Sequence, residues 1–596
     1  MTACAIVQAR MGSSRFPGKM LQELADKPLL WHVIHRLRQC AHVSQIILAT
    51  SDQPTNDPLA DYAQRLGVDL VRGPERNVLE RFRLALALTS APTILRITGD
   101  APLIDPQLID RLIDALEESG ADYVVTSTPV SDCGIDPMTR AVLLRLITER
   151  GDHPAAMEHV SGYFALEPSF ARRTVLALGS EDRRVEGARF SIDTPADLAF
   201  LETIYCRLGA AAGEAKFTDA LALLRADPSL LEINGHVRQR RADETPLSVL
   251  IRCDGGHAIG LGHVVRCLAI AAELRDRFAA SVRFAMRGEE AAFALVRRAA
   301  FPAEQLNGTA EAESLRALIA ADKPDAVLLD LRAPYDAAAM AALRAAGCGI
   351  AVLDDPGPRR LDADCSFFPP SAAALDWSQA RGERHIGFEW IPLRRQFAEA
   401  PARRTGPERF ALILGGGSDP QAIGRRFLAS AARALPASWR LGLVIGAAAS
   451  DDPRIDATAA TLGARLSIHR QVEDMAGLMA KTDLALASFG MTAFELAAIG
   501  VPMLLLCLSE DHRIAATSLA QAGAAEVAGI VKEVSDTALD AAIARLAADD
   551  ARREEFGRRA RSLIDGKGAA RIAERLAALA AAEDKKAKTP RASARA

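Results

Sequence analysis

The sequence predicts an α/β protein of more than one domain, and three observations predict it. Short β-rich runs alternate with longer amphipathic stretches rich in Ala, Leu and Arg through both halves, the pattern of layers built on mostly parallel sheets. The chain has 596 residues, well past the roughly 250 to 300 at which a single hydrophobic core stops growing. Between about residues 209 and 245 the text turns into one or two small helices and a polar, arginine-rich stretch, after which a fresh apolar strand begins.

In the first half ACAIVQA, SQIILATS, TILRITG and ADYVVTST read as strands, and LLWHVIHRLRQC and NVLERFRLALAL as helices. The segment RFSIDTPADL reads as a further strand ending at Asp193, with a helix starting beside Asp197. In the second half LSVLIRCD, SVRFAMRG, AVLLDL, GIAVLDD, FALILGGG, RLGLVIG, LALASFG and PMLLLCLS supply strands for two stacked Rossmann-like lobes, with the crossing near 392–406. The expected domains are therefore 1–242, a first lobe 243–400, a second lobe 401–582, and a disordered basic tail 583–596.

Composition narrows the function. A formal net charge of −4 offers no field that would gather nucleic acid or an anionic membrane. Nine scattered cysteines without a C-x-x-C pair read as buried thiols rather than a disulfide framework or structural zinc. No apolar run approaches the roughly 20 residues of a membrane helix, and the first residues lack the pattern of a signal peptide, so a cytoplasmic protein is expected.

The loop QARMGSSRFPGKML follows the first strand and carries Arg10, Gly12, Ser13, Ser14, Arg15, Gly18 and Lys19. Small residues let backbone N–H groups approach phosphate oxygens while the cations neutralise them, so this loop reads as a triphosphate grip, although it is not a Walker loop. Asp100 ends the strand TILRI where open α/β sheets bind ligands, and with Asp193 it forms a candidate Mg²⁺ pair. Asp105 and Asp197 fit helix capping better.

In order, QARMGSSRFPGKML, RGPERNVLERF, ITGDAPLIDP, EHVSGYF and SIDTPADL resemble the SpsF-type cytidylyltransferases, relatives of the CMP-KDO and CMP-sialic acid synthetases. The resemblance implies a GT-A/Rossmann-like nucleotidyltransferase fold over residues 3 to 235. It also implies transfer of CMP from CTP to a sugar acid, with Mg²⁺ on Asp100 and Asp193, Lys19 catalytic, and His159 at the sugar. Asn77 and Met138 stand where relatives often carry acidic residues.

In the second half GLGHVVRC places Gly260, Gly262 and His263 at a strand-to-helix turn, with Arg266 one helical turn on. A histidine at a helix start facing a glycine-lined cleft suits a neutral imidazole acting as base. LILGGGSDP, with Gly416, Gly417 and Ser418, reads as a diphosphate cradle. SFGMTAFELAAIGVP adds Ser488, Gly490, Thr492 and Glu495, the last placed to take ribose hydroxyls.

Together with LDD and IPLRRQF, these segments resemble the PseG-type UDP-sugar hydrolases of pseudaminic acid synthesis, which have a two-lobed GT-B-like fold. The resemblance implies that His263 promotes attack of water on a UDP-linked diacetamido trideoxy hexose without a metal. Arg266 is implied in catalysis, and Asp254 and Arg394 in contacting or ordering substrate. Asp511, in an Asp511-His512 pair where relatives commonly show Asn-Gln, falls near the substrate. Both implied activities belong to one route to nonulosonic acids for flagellin or envelope polysaccharide, separated by a condensation with phosphoenolpyruvate. The alternatives are a MurG-like glycosyltransferase second half, which consumes UDP-sugar only with an acceptor, and a binding scaffold without turnover.

Overall fold

The computed structural model describes residues 3–588 except 128–133, 179–183, 240–243, 257–259, 307–310, 333, 335, 401–402, 404–407, 418, 420, 447–451 and 473. The chain divides into two compact units, Met1–Pro246 and Leu247–Ala596. None of the helices among the described residues is long and apolar enough to cross a membrane. Seven of the described cysteines are buried thiols and Cys206 is exposed.

The first unit is built on seven strands: β1 (Ala3–Gln8), β2 (Val43–Ser51), β3 (Asp69–Gly73), β4 (Thr93–Thr98), β5 (Tyr123–Thr126), β6 (Ile135–Thr139) and β7 (Arg173–Leu176). Their order across the sheet is β3-β2-β1-β4-β6-β5-β7. β1 is parallel to both neighbours, with Ile6 opposite Ile47 and Arg96, whereas β6 runs antiparallel to β4. The central strand is apolar and buried from Ala3 to Val7 because helices cover both faces of the sheet. Leu79, Phe82 and Leu86 from the helix Val78–Leu86 pack with Ile6, Ile47 and Met138 on one side.

Met138 is fully buried in that core, so its side chain fills space between sheet and helices, while Asp136, two residues earlier on the same strand, lies toward the carboxyl end of β4 and pairs with Arg96. Asn77 caps the helix Val78–Leu86, accepting from the Glu80 N–H at 2.9 Å. The segment 189–193 is not a strand, contrary to expectation. It is held by one ladder-like bond, Ile192 N–H to Asp100 O at 2.8 Å, and by burial of Phe190.

The second unit has the GT-B-like architecture of two parallel sheets. The first comprises β8 (Ser248–Gly255), β9 (Ser281–Gly288), β10 (Ala303–Gln305), β11 (Ala326–Asp330), β12 (Gly349–Leu353), β13 (Cys365–Phe368) and β14 (Glu383–Ile386), in the order β10-β9-β8-β11-β12-β13-β14. The second comprises β15 (Arg409–Leu414), β16 (Trp439–Ile445), β17 (Leu466–Arg470), β18 (Leu484–Ser488), β19 (Met503–Cys507) and β20 (Glu526–Ile530), in the order β17-β16-β15-β18-β19-β20.

Two features correct a simple division of this unit at 400. Ile391, Leu393 and Phe397 belong to the core of the second lobe. The last helix, Gly568–Lys588, returns to the first lobe, where Ile572, Ala573 and Leu576 pack with Val249, Ile270 and Phe284. It also runs to Lys588, six residues into the stretch expected to be disordered from Glu583, because its apolar stripe has a sheet to lie on. Gly568 opens it with its Cα pressed on the Ile391 backbone: a Cβ there would come within 2.1 Å of the Ile391 carbonyl oxygen.

Candidate functional sites

In the first unit β1 and β4 end side by side, and the loop after β1 turns across their carboxyl ends to bury Lys19 in a short 3-10 helix, Lys19–Leu21. The loop and strand ends enclose a cavity of about 470 Å³, whose lining includes Ser13, Ser14, Lys19, Asp100, His159 and Asp193. Lys19 Nζ donates to Asp100 Oδ2 and to Ile192 O, both at 2.7 Å, and to Asp193 Oδ1 at 3.1 Å. Burial alone would lower the ammonium's pKa, but the two carboxylates outweigh it and raise it. Burial likewise works to raise Asp193, yet Lys19 and Arg15, the latter 2.8 Å away, hold its carboxyl well below the usual range.

The loop after β1 is thus internally neutralised: Arg10 pairs with Glu75 at 3.0 Å, Arg15 with Asp193, and Lys19 with both aspartates. Gly12 lies against Glu75, where a Cβ would stand 2.9 Å from Oε1. Arg81, buried on the helix Val78–Leu86, also lines the cavity, and burial pushes its guanidinium down to about 10. Asp197 is not a cavity residue. It is fully buried in a capping box and accepts from Asp193 N–H at 3.0 Å, Thr194 N–H at 2.8 Å and Arg189. Asp105 caps the helix Pro106–Ser119.

Because Asp193 is more acidic in the folded state, it stabilises the fold above the ordinary carboxylate pKa near 4 and loses that contribution as pH falls toward its folded value. The melting temperature of the protein is therefore expected to drop between about pH 5 and pH 3, and Asp193→Asn to flatten that slope. A circular dichroism melt at each pH measures both.

In the second unit the helix Gly262–Phe278 starts at the carboxyl end of β8 and carries His263 and Arg266 over Asp330, the last residue of β11. His263 Nδ1 lies 2.6 Å from Asp330 Oδ1. Nδ1–H donates to that carboxylate, and this tautomer leaves Nε2 as the acceptor. Arg266 grips Asp330 through Nε at 2.6 Å and Nη2 at 2.5 Å, and reaches Asp354 through Nη1 at 2.9 Å. Burial would raise the Asp330 pKa, but Arg266 and His263 hold its carboxyl well below the usual range. The Arg266 fork is thus filled by Asp330 and Asp354.

Asp254 is likewise tied up, by buried Arg252 and by Arg287 N–H at 2.8 Å. Asp330 was not among the sequence candidates. Its signal was a carboxylate ending the apolar run AVLLD, the same cue that singled out Asp100.

The two lobes present their helix starts to each other. A Cβ on Gly417 would stand 3.9 Å from Leu261, and one on Gly262 would stand 3.9 Å from Met491. Gly416 has φ of +99°, a conformation that favours glycine and turns the backbone between β15 and the next helix. Ser418 lies outside the described residues. Ser488 ends β18, and Gly490, Thr492 and Glu495 lie at the start and within the first turns of the helix Met491–Ile499. Glu495 is buried and accepts from Arg394 Nη2 at 3.0 Å; burial raises its pKa against the opposing pull of that arginine. Of the Asp511-His512 pair, Asp511 is exposed, whereas the His512 ring packs edge-on to Phe489 with Nδ1 buried and unpartnered.

The sheet order and strand-end cavity of the first unit define a nucleotidyltransferase-type domain, followed in the same chain by a GT-B-like pair of lobes. A family model described as Cytidylyltransferase matches residues 4–221. The chain belongs to the cytidylyltransferase family through that segment. It is similar to the Spore coat polysaccharide biosynthesis protein SpsF of Bacillus subtilis (strain 168), with 34% identity over 209 residues covering 34% of this chain and 86% of that protein. It is also similar to a 3-deoxy-manno-octulosonate cytidylyltransferase of Nitratidesulfovibrio vulgaris, with 36% identity over 117 residues covering 19% of this chain and 45% of that one.

Among solved structures, a cytidylyltransferase from Leptospira borgpetersenii matches at 24% identity and TM-score 0.36, covering 39% of this chain and 97% of that one. Acinetobacter baumannii MurG matches at 18% identity and TM-score 0.41, covering 56% and 100% respectively.

Proposed function

We propose that the chain is a bifunctional nucleotide-sugar enzyme of surface-glycan synthesis: a CTP-dependent cytidylyltransferase in the first unit and a UDP-sugar hydrolase in the second. For the first activity, the supporting observation is Lys19 buried between Asp100 and Asp193 at the mouth of a cavity of nucleotide size. A hydroxyl oxygen of a sugar acid attacks the α-phosphate of CTP, its bond to phosphorus forms as the bond to pyrophosphate breaks, and Lys19, Arg15 and the serines orient the phosphates.

Asp100 and Asp193 converge on one cation already, and their hard oxygen donors fit Mg²⁺, which they would hold together with phosphate oxygens. When bound, that ion supplies charge neutralisation. Mixing the protein with CTP and candidate nonulosonic acids and following pyrophosphate by phosphorus NMR tests the activity. No pyrophosphate with any acid, Mg²⁺ present, counts against it.

For the second activity, the supporting observation is the His263–Asp330 pair with Nε2 left as acceptor. Nε2 takes a proton from water as its oxygen bonds to the anomeric carbon, and UDP leaves with the electron pair of the broken C–O bond. UDP is expected on the second-lobe turn 415–417 and the Met491–Ile499 helix, with Glu495 on the ribose. Glu495→Gln is expected to weaken UDP binding about tenfold by removing a charge-assisted hydrogen bond. Titration calorimetry with UDP reads this directly, and unchanged affinity would remove Glu495 from the site. UDP release that requires an added acceptor would instead identify a glycosyltransferase, and binding of UDP-sugar without turnover a scaffold.

A further inference from the structure

Three buried polar atoms without a hydrogen-bond partner belong to residues that line the strand-end cavity of the first unit: Glu75 Oε2, Arg81 Nε and His159 Nε2. His159 is the sugar-side residue of the reading above, but the other two have no role in it. Glu75 is held by Arg10, which takes Oε1 and leaves Oε2 a buried acceptor without a partner, on a residue that lines the cavity. Arg81 is buried at 2% exposure, its Nη1 on the Ala49 carbonyl at 3.4 Å and its Nε–H left as a donor. Both stand on the β2 and β3 side of the cavity, whereas Lys19, Asp100 and Asp193 gather past the end of β4. Phosphates drawn to the lysine leave the opposite end for the base.

A free carboxylate oxygen beside a triphosphate loop is repulsive to phosphate, so its partner must be a donor on the ligand. We infer that Glu75 and Arg81 read the Watson–Crick edge of cytosine, Glu75 accepting from the exocyclic N4 amine and Arg81 donating to N3. The inference rests on the cytidylyl-transfer reading and specifies how the base is chosen. Uracil carries an acceptor at O4 and a donor at N3, the reverse of cytosine at both positions, so UTP would set oxygen against carboxylate and N–H against guanidinium. Both clashes would be buried, where an unmatched polar group is most costly.

Glu75→Gln keeps size and the reach to Arg10 but presents an amide that can turn to offer either a donor or an acceptor. Titration calorimetry of CTP and UTP binding to the full chain, with and without Glu75→Gln, tests the idea, and a thermal melt confirms that the variant is folded. The parent is expected to favour CTP by about 100-fold, and the variant to lose about tenfold or more of that ratio, chiefly by gaining affinity for UTP. Arg81→Lys, which retains charge but moves the donor, is expected to weaken CTP more than UTP. A ratio unchanged in Glu75→Gln overturns the inference, including the case where both affinities fall together because Glu75 holds a ribose hydroxyl. Binding of neither nucleotide by the parent overturns the underlying reading of the unit instead.

Discussion

His263→Ala is expected to slow UDP release from UDP-2,4-diacetamido-2,4,6-trideoxy-β-L-altrose by about 10³-fold, the span associated with a positioned general base. The magnitude follows from the orientation of the ring: Asp330 fixes Nδ1–H, so the whole basicity of the imidazole is delivered at Nε2. Asp330→Asn should therefore cost nearly as much, about 10²- to 10³-fold in kcat, because the amide no longer dictates the tautomer. A separate signature distinguishes Asp330 from a group that merely packs. Asp330→Asn leaves Arg266 without its buried counter-charge, and the protein is expected to lose about 3 kcal/mol of stability, whereas His263→Ala should leave the melt almost unchanged. Phosphorus NMR without acceptor measures the first effect and denaturant titration the second. Full turnover by the His263 variant would mean that the base lies elsewhere.

Lys19→Met should have a comparable effect on the first activity. The side chain is almost fully buried and its ammonium is shared by two carboxylates and a backbone carbonyl. Its loss leaves Asp100 and Asp193 facing each other as like charges, so one is forced toward the protonated form. Pyrophosphate release is expected to fall by about 10²- to 10³-fold, and the remaining activity to rise more steeply with pH than in the parent as that carboxyl ionises. Lys19→Arg keeps the charge but cannot fit three acceptors around one nitrogen, so it should rescue stability and not rate. A variant with unimpaired pyrophosphate release would make Lys19 a purely structural cation.

Most of the strands legible in the sequence are buried on both faces. The apolar runs of β1, β2, β4 and β5 and the eight runs quoted for the second half all form strands, because an interior strand must be apolar along its length. Most of those passed over, β3, β7, β10, β14, β17 and β20, are edge strands. An edge needs apolar residues only on the covered side, so DLVRG, RTVL and LSIHR carry no continuous signal. Ile135–Thr139 was hidden for a different reason: it holds Asp136 and Pro137, and its antiparallel pairing with β4 is a property of the sheet rather than of the segment.

Of the candidate residues that the sequence offers, the fold brings Lys19, Asp100 and Asp193 together and sets His263 at the start of the helix after β8. What the sequence hid were partners set by folding across long separations. Asp330 lies 67 residues from His263, and Glu75 with Arg81 reaches the cavity only because β3 docks beside β2.

The returning helix Gly568–Lys588 bears on how the protein is made. Val249 and Phe284 leave the ribosome more than 280 residues before Ile572 and Leu576, the side chains that cover them. During synthesis the first lobe thus waits with part of one face of its sheet uncovered, beside the helix Gly262–Phe278, while the second lobe emerges and can close its own core. A chain ending just before Gly568 would hold two adjacent lobes of which only the later one is sealed, and the uncovered part of the sheet would be a target for chaperones and proteases.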